Sequence, residues 1–173
     1  MLVRIARHGV PRTPISNDAL RTRAERMLRE LRLPRAELSI LLCDDREIQR
    51  LNRTHRRKNK PTDVLAFAMN EGDTLLGSSD LLGDVVISLD TARRQAAARQ
   101  HSLWAEVSTL LAHGLLHLLG FDHRDDAEEA EMNLKTDLLV KASRRAATNS
   151  RLRRVDKRAR RIENSPQSRT RRT

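Results

Sequence analysis

Along this chain the apolar positions switch between two repeat lengths, and the switches mark out the elements. Leu2 to Ile5 is a short apolar run of strand length, and Glu37 to Cys43, Pro61 to Phe67 and Leu81 to Ile87 are three more. Between them the period lengthens. Leu20, Met27, Leu28 and Leu31 recur at helical spacing after Ser16-Asn17-Asp18, which can cap a helix, and the pattern ends at Pro34. Asp44 or Asp45 can cap a short helix that turns Ile48 and Leu51 inward. An Ala- and Arg-rich stretch from Asp90 to about Gln100 reads as a third helix, and Trp104 to Leu119 as a strongly apolar, central fourth. Asp126 to about Lys141 is the last, with Ala130, Leu134, Leu138 and Leu139 predicted to face the core. Asn70 to Asp80 is rich in Gly, Ser and Asp without a period and reads as a loop near the site. Strands alternating with helices predict one α/β domain, a two-layer sandwich, and no internal repeat is visible.

Charge alters this picture at one end. The 173 residues carry 34 Lys and Arg against 23 Asp and Glu, a net charge of +11. Residues 1 to 140 are balanced, so the whole excess lies in the last 33 residues, where only Asp156 and Glu163 oppose the basic groups. From about Arg144 onward large apolar residues are few, so this tail is expected to be disordered or a frayed helical extension. It would bind polyanions without sequence choice, or serve only to solubilise. The expected division is a domain over 1–141 and a basic tail over 142–173. Inside the domain, Arg46 to Lys60 sets seven basic residues against Glu47, whereas Asp122 to Glu131 sets six acids against Arg124.

Several function classes are excluded or weakened by composition. No apolar run approaches the roughly 18 residues that span a bilayer, and Arg4 and Arg7 interrupt the start where a secretion leader needs an apolar stretch, so a cytoplasmic protein without a membrane partner is expected. The single cysteine, Cys43, falls in the apolar run Leu38 to Cys43 and reads as a buried strand residue with no redox role. There is no Tyr, and Phe67, Trp104 and Phe121 are the whole aromatic set, too few for a base-stacking platform. RNA binding, if present, is expected to be weak, salt-sensitive and indifferent to sequence.

The chemistry concentrates in His113-Gly-Leu-Leu-His117-Leu-Leu-Gly120-Phe-Asp-His123. Residues four apart on a helix share a face about 6 Å apart along the axis, so the first two imidazoles can converge on one ion. Gly120, just past the helix end, can take the left-handed conformation and bring His123 back as a third ligand. Three nitrogens leave a tetrahedral zinc one open position, the arrangement of a catalytic site. Three imidazoles also suit nickel or copper. The spacing is that of the metzincin proteases too, but those carry Glu directly after the first His as general base. Here that position is Gly114, and a peptidase would need Asp63 or Asp84 to reach the metal instead.

Three stretches together, Arg56-Arg-Lys-Asn-Lys-Pro-Thr-Asp-Val-Leu-Ala-Phe67, Leu82-Gly-Asp-Val-Val-Ile87 and His113 to His123, resemble the YbeY family of bacterial metal-dependent endoribonucleases. The resemblance covers about residues 2 to 141 and leaves the tail outside it. It implies an α/β (α+β) fold with a mixed four-stranded sheet packed by about five helices and a zincin-like metal helix. It also implies one zinc per chain held by His113, His117 and His123, with Arg56 as the functionally important arginine. The activity implied is cleavage of single-stranded RNA in ribosomal RNA maturation, including the 3′ end of the small-subunit RNA, and in ribosome quality control. Ribosomal particles or ribosome-associated proteins are the implied partners. Phe121 stands where the family usually has Tyr, and Ala66 where it often has Ser.

The chemistry of the residues agrees with that implication. Zinc and cationic side chains stabilise charge on nonbridging phosphate oxygens, and zinc lowers the pKa of a bound water to about 7. Arg56 can grip a phosphate with two parallel hydrogen bonds, and Lys58 or Lys60 adds a point charge. Asp122 is a candidate to orient an imidazole or to cap a helix. Two other readings remain open: a zinc-dependent peptide or amide hydrolase, and a non-enzymatic RNA-binding factor in ribosome assembly.

Overall fold

A computed structural model describes residues 1–10, 13–69, 81–122 and 125–144. The predicted loop over 70–80, His123 and the tail beyond Arg144 lie outside the described residues. The elements run β1 (Leu2–His8), α1 (Asn17–Glu30), β2 (Glu37–Cys43), α2 (Asp45–Arg56), β3 (Val64–Ala68), β4 (Leu81–Ser88), α3 (Leu89–Ala98), α4 (Leu103–Leu118) and α5 (Asp126–Arg144). Side-chain oxygens of Ser16, Asp44, Ser88 and Ser102 accept backbone N–H groups at the starts of α1 to α4, so each of these helices begins at a residue suited to satisfy its orphan donors.

The four strands form one sheet in the order β1-β2-β4-β3, in which β1, β2 and β4 run parallel and β3 pairs antiparallel with β4. The sheet is therefore mixed, and β3 is an edge. Alternation along each strand divides the core in two. Val3, Leu38, Ile40, Leu42, Val85 and Ile87 point to the face covered by α1 and α4, with α5 packed on those two helices, while Cys43, Leu65 and Val86 point to the other face and meet Ile48 of α2. Here the two-layer expectation fails: α2 covers the second face, so the sheet lies between helices. Cys43 is fully buried, and burial, aided by the nearby Asp44 carboxylate, pushes its thiol up to about 12, in keeping with a packing role.

Polar side chains tie the helices together where they meet. Arg23 of α1 lies 4.8 Å from the centre of the Trp104 ring and donates to Ser108 of α4 at 3.2 Å. Asp45, at the start of α2, accepts from Thr91 at 2.8 Å and Arg94 at 2.7 Å on α3, and also from Ser88. Burial alone would raise that carboxyl, yet these three hydrogen bonds and the Arg94 charge hold it below the usual carboxylate range.

The last helix corrects one expectation. In α5 the buried residues are Met132, Thr136, Leu139, Val140, Ala142 and Ser143, which pack on α1 and α4. Leu139 faces the core as expected. Ala130, Leu134 and Leu138 do not, and Leu134 and Leu138 are 63% and 51% exposed. A helix with apolar residues on both sides leaves the choice of buried side to its neighbours, and α1 and α4 take the face centred near Thr136.

One glycine is required by the sheet. β4 carries an extra residue opposite β2, since Glu37 pairs with Leu81 but Leu38 with Gly83, and Gly83 sits at φ +140°. A Cβ there would lie 2.2 Å from the carbonyl oxygen of Phe67. Gly83→Ala is expected to lose about 2 kcal/mol or more of stability, from left-handed strain and displacement of β3. The midpoint of urea denaturation reads this directly, and an unchanged midpoint would refute it.

Candidate metal centre

His113 and His117 occupy the last turns of α4, one turn apart on the same face. Their Nε2 atoms stand 3.2 Å from each other, with ring centres 4.7 Å apart and ring planes at 87°. Two imidazole nitrogens binding one tetrahedral ion at about 2.0–2.1 Å would be roughly 3.3–3.4 Å apart, so the pair has the spacing of two ligands to a single metal. Both rings are partly exposed. A cavity of about 100 Å³ opens beside His113, closed on its other side by Glu129, Met132 and Asn133 of α5.

The chain turns after these residues as its glycine suggests. Gly120 has φ +83°, its N–H donates to the His117 carbonyl at 3.0 Å, and the Phe121 N–H donates to that of Leu116 at 3.1 Å. These two bonds are the Schellman closure of a helix, and they reverse the chain just before Asp122 and His123. His123, the expected third ligand, lies outside the described residues. Among the described residues no group of three His, Cys, Asp or Glu side chains is placed to hold an ion.

The position where metzincins carry their general base has a different use. Gly114 is buried, and a Cβ on it would lie 2.7 Å from one Val85 methyl carbon and 3.3 Å from a Val64 methyl carbon. Gly114 is where α4 presses onto β3 and β4, so a side chain at this position would run into the sheet. The other two carboxylates considered for a base are also directed elsewhere. Asp63 accepts from the Val64 N–H at 2.8 Å and from Gln95 of α3 at 3.0 Å. Asp84 precedes Val85 on β4 and therefore points to the opposite face of the sheet from α4.

Arg56 lies against strand β3 rather than among the residues lining the histidine cavity. It is the last residue of α2, and its guanidinium donates to the Ala66 carbonyl oxygen at 3.2 Å, an acceptor on the outer edge of β3. Strand β3 packs directly against α4. One edge strand thus separates Arg56 from the helix that bears the two histidines. The basic segment after Arg56 is held in place by a residue that sequence reasoning missed: Asn52, 3% exposed, accepts the Lys58 N–H with its carbonyl and donates from its side chain to the Lys60 carbonyl at 2.8 Å. Arg57 caps the helix at φ +57°. Arg53, Arg56, Arg57, Lys58 and Lys60 are all exposed, giving β3 a cationic border. Glu129 and Asn133 were also missed, since an acidic run on a helix looks like a solvated face until α5 is seen beside His113. Asp122 is exposed at the turn. No described helix is long and apolar enough to cross a membrane.

A mixed sheet whose antiparallel edge pair carries a helix with paired histidines defines an α+β protein with a candidate metal site. The solution structure of TM1509 from Thermotoga maritima shares this fold, with a TM-score of 0.58 at 22% identity, over 98% of this chain and 100% of that one. The family described as Endoribonuclease YbeY matches residues 11–144. Curated relatives named Endoribonuclease YbeY include one from Aquifex aeolicus, 50% identical over 66% of this chain and 75% of its own length. Another, from Anaeromyxobacter sp. strain Fw109-5, is 48% identical over 76% of this chain and 67% of its own length. The chain belongs to the YbeY endoribonuclease family.

Proposed function

We propose that this protein is a zinc-dependent, single-strand-specific endoribonuclease that acts in the cytoplasm on ribosomal RNA, including the 3′ end of the small-subunit RNA, and in ribosome quality control. Ribosomal particles or their associated proteins are the proposed partners. The proposed catalytic domain runs to the end of α5 at Arg144, past the expected boundary at 141, because Ala142 and Ser143 are buried and Arg26 of α1 donates to the Ser143 carbonyl at 3.0 Å. The residues beyond are proposed as an accessory tail. The observation that carries this reading is the 3.2 Å approach of the His113 and His117 Nε2 atoms, in a chain of this family whose Arg56 borders the same edge strand.

His113, His117 and His123 would hold the ion, an all-nitrogen donor set suited to zinc. When bound, the ion supplies positive charge against a phosphodiester and lowers the pKa of a coordinated water. Arg56 positions a phosphate. Anchored by one N–H at the Ala66 carbonyl, it keeps further donors for a nonbridging oxygen. The exposed cations from Arg53 to Lys60 hold the RNA backbone beside β3, a contact screened by salt. A peptidase reading is disfavoured by Gly114, Asp63 and Asp84, none of which presents a carboxylate to the histidine face.

Cleavage of a single-stranded ribosomal RNA fragment by protein of measured metal content tests the proposal. Arg56→Ala is expected to retain the metal and to cut about 10²-fold more slowly, the usual cost of removing one donor to developing oxyanion charge. Equal cutting by wild type, Arg56→Ala and His117→Ala would identify the activity as contamination and favour a non-enzymatic role in ribosome assembly.

A further inference from the structure

The outer face of α5 is built to be covered. Ala127, Ala130, Leu134 and Leu138 follow one another at intervals of three, four and four and are all exposed, so they form one apolar stripe on the side opposite the core. Leu134 and Leu138 are more than half exposed, whereas most other leucines of the described helices are buried or half-buried. Asp126, Glu131 and Asp137 flank the stripe, with Glu131 paired to Lys135 at 3.3 Å and Lys141 standing just past Leu138, so the border is acidic chiefly along Asp126 and Asp137. Such a stripe calls for a partner that is apolar along one line and basic around it.

The chain itself carries that partner. Leu152, Val155, Ala159 and Ile162 recur at intervals of three, four and three, which on a helix places them within about 80° of arc. Nearly every other residue from Arg151 to Arg161 is Arg or Lys, with Asp156 the exception. We propose that residues 151–162 dock as an amphipathic helix, antiparallel to α5, on this outer face. Lengths agree: Leu152 to Ile162 and Ala127 to Leu138 each span about 15–17 Å as helix. The intervening residues, 145–150, suffice for a helix–helix reversal, which needs about 2–8. In that alignment Leu152 lies over Leu138, Val155 over Leu134, Ala159 over Ala130 and Ile162 over Ala127. The C-terminal half of the docked segment then lies along the part of α5 that supplies Glu129 and Asn133 to the histidine cavity. This docking does not depend on the endoribonuclease reading.

Disulfide trapping in the full chain tests it, since Cys43 is buried and leaves the introduced thiols as the reactive pair. Ala127→Cys with Ile162→Cys is expected to close into an intramolecular disulfide at least about tenfold faster than Ala127→Cys with Leu152→Cys, at low protein concentration under a mild oxidant. Adding Leu134→Asp and Leu138→Asp, both at exposed positions that leave the core intact, is expected to abolish the difference. Equal rates for the two pairs would overturn the proposal, as would predominant disulfide-linked dimers, which would assign the stripe to a second copy of the chain.

Discussion

His117→Ala is expected to lose bound metal and RNA cleavage together while remaining folded. The imidazole is partly exposed at the end of α4 and is not among the packed core residues, so its removal opens no large cavity. Its Nε2 is half of the 3.2 Å pair with His113, and its loss would leave only His113 and His123 of the three proposed ligands, fewer protein ligands than the three of a catalytic zinc site. Stabilisation of a phosphoryl transition state by a metal amounts to several kcal/mol, at about 1.4 kcal/mol per decade of rate, so cleavage should fall about 10²–10³-fold or further. Metal analysis of the purified variant, circular dichroism and RNA cleavage measured on one preparation separate the causes. A variant that keeps a full equivalent of zinc and cuts normally would remove His117 from the site.

Gly114→Glu is expected to destabilise the domain strongly, with no gain of peptidase activity. The substitution recreates the metzincin pattern at the level of sequence, yet its first side-chain carbon would already stand 2.7 Å from Val85. Even Gly114→Ala overpacks α4 against the sheet at a cost of about 1–3 kcal/mol, offset by roughly 1 kcal/mol of better helix propensity. Beyond alanine, glutamate adds a further methylene and a carboxylate in an apolar contact, a penalty of several kcal/mol against the typical 5–15 kcal/mol of total stability. Thermal unfolding should show a midpoint lowered by about 10 °C or more, or no cooperative transition. A folded Gly114→Glu protein that hydrolyses peptides would show that position 114 faces the histidines, contrary to the packing described.

Legibility in the sequence followed the range of the forces involved. The four strands and five helices were readable because period, caps and turn glycines act over a few residues: Glu37–Cys43 is a strand over the expected span, Asp44 caps α2, and Gly120 takes the positive φ that ends α4. The meeting of His113 and His117 was readable for the same reason, since four residues on one helix decide it. Pro61 to Asp63 were read as strand but precede β3, where the Asp63 carboxylate accepts the Val64 N–H and bends the chain into the pairing.

What the sequence by itself determined, then, is the set of elements, the pair of imidazoles on one helical face and the confinement of the excess positive charge to the last 33 residues. Only the tertiary structure decided which side of α5 is buried, because Leu134 and Leu139 are equally apolar and the choice belongs to α1 and α4. It also decided that α2 crosses to the second face of the sheet, that Arg56 therefore meets β3 at its open edge, and that Gly114 is a contact point with Val85 rather than a missing base. Each of these depends on which surfaces meet across long separations in the chain, and no local period encodes that.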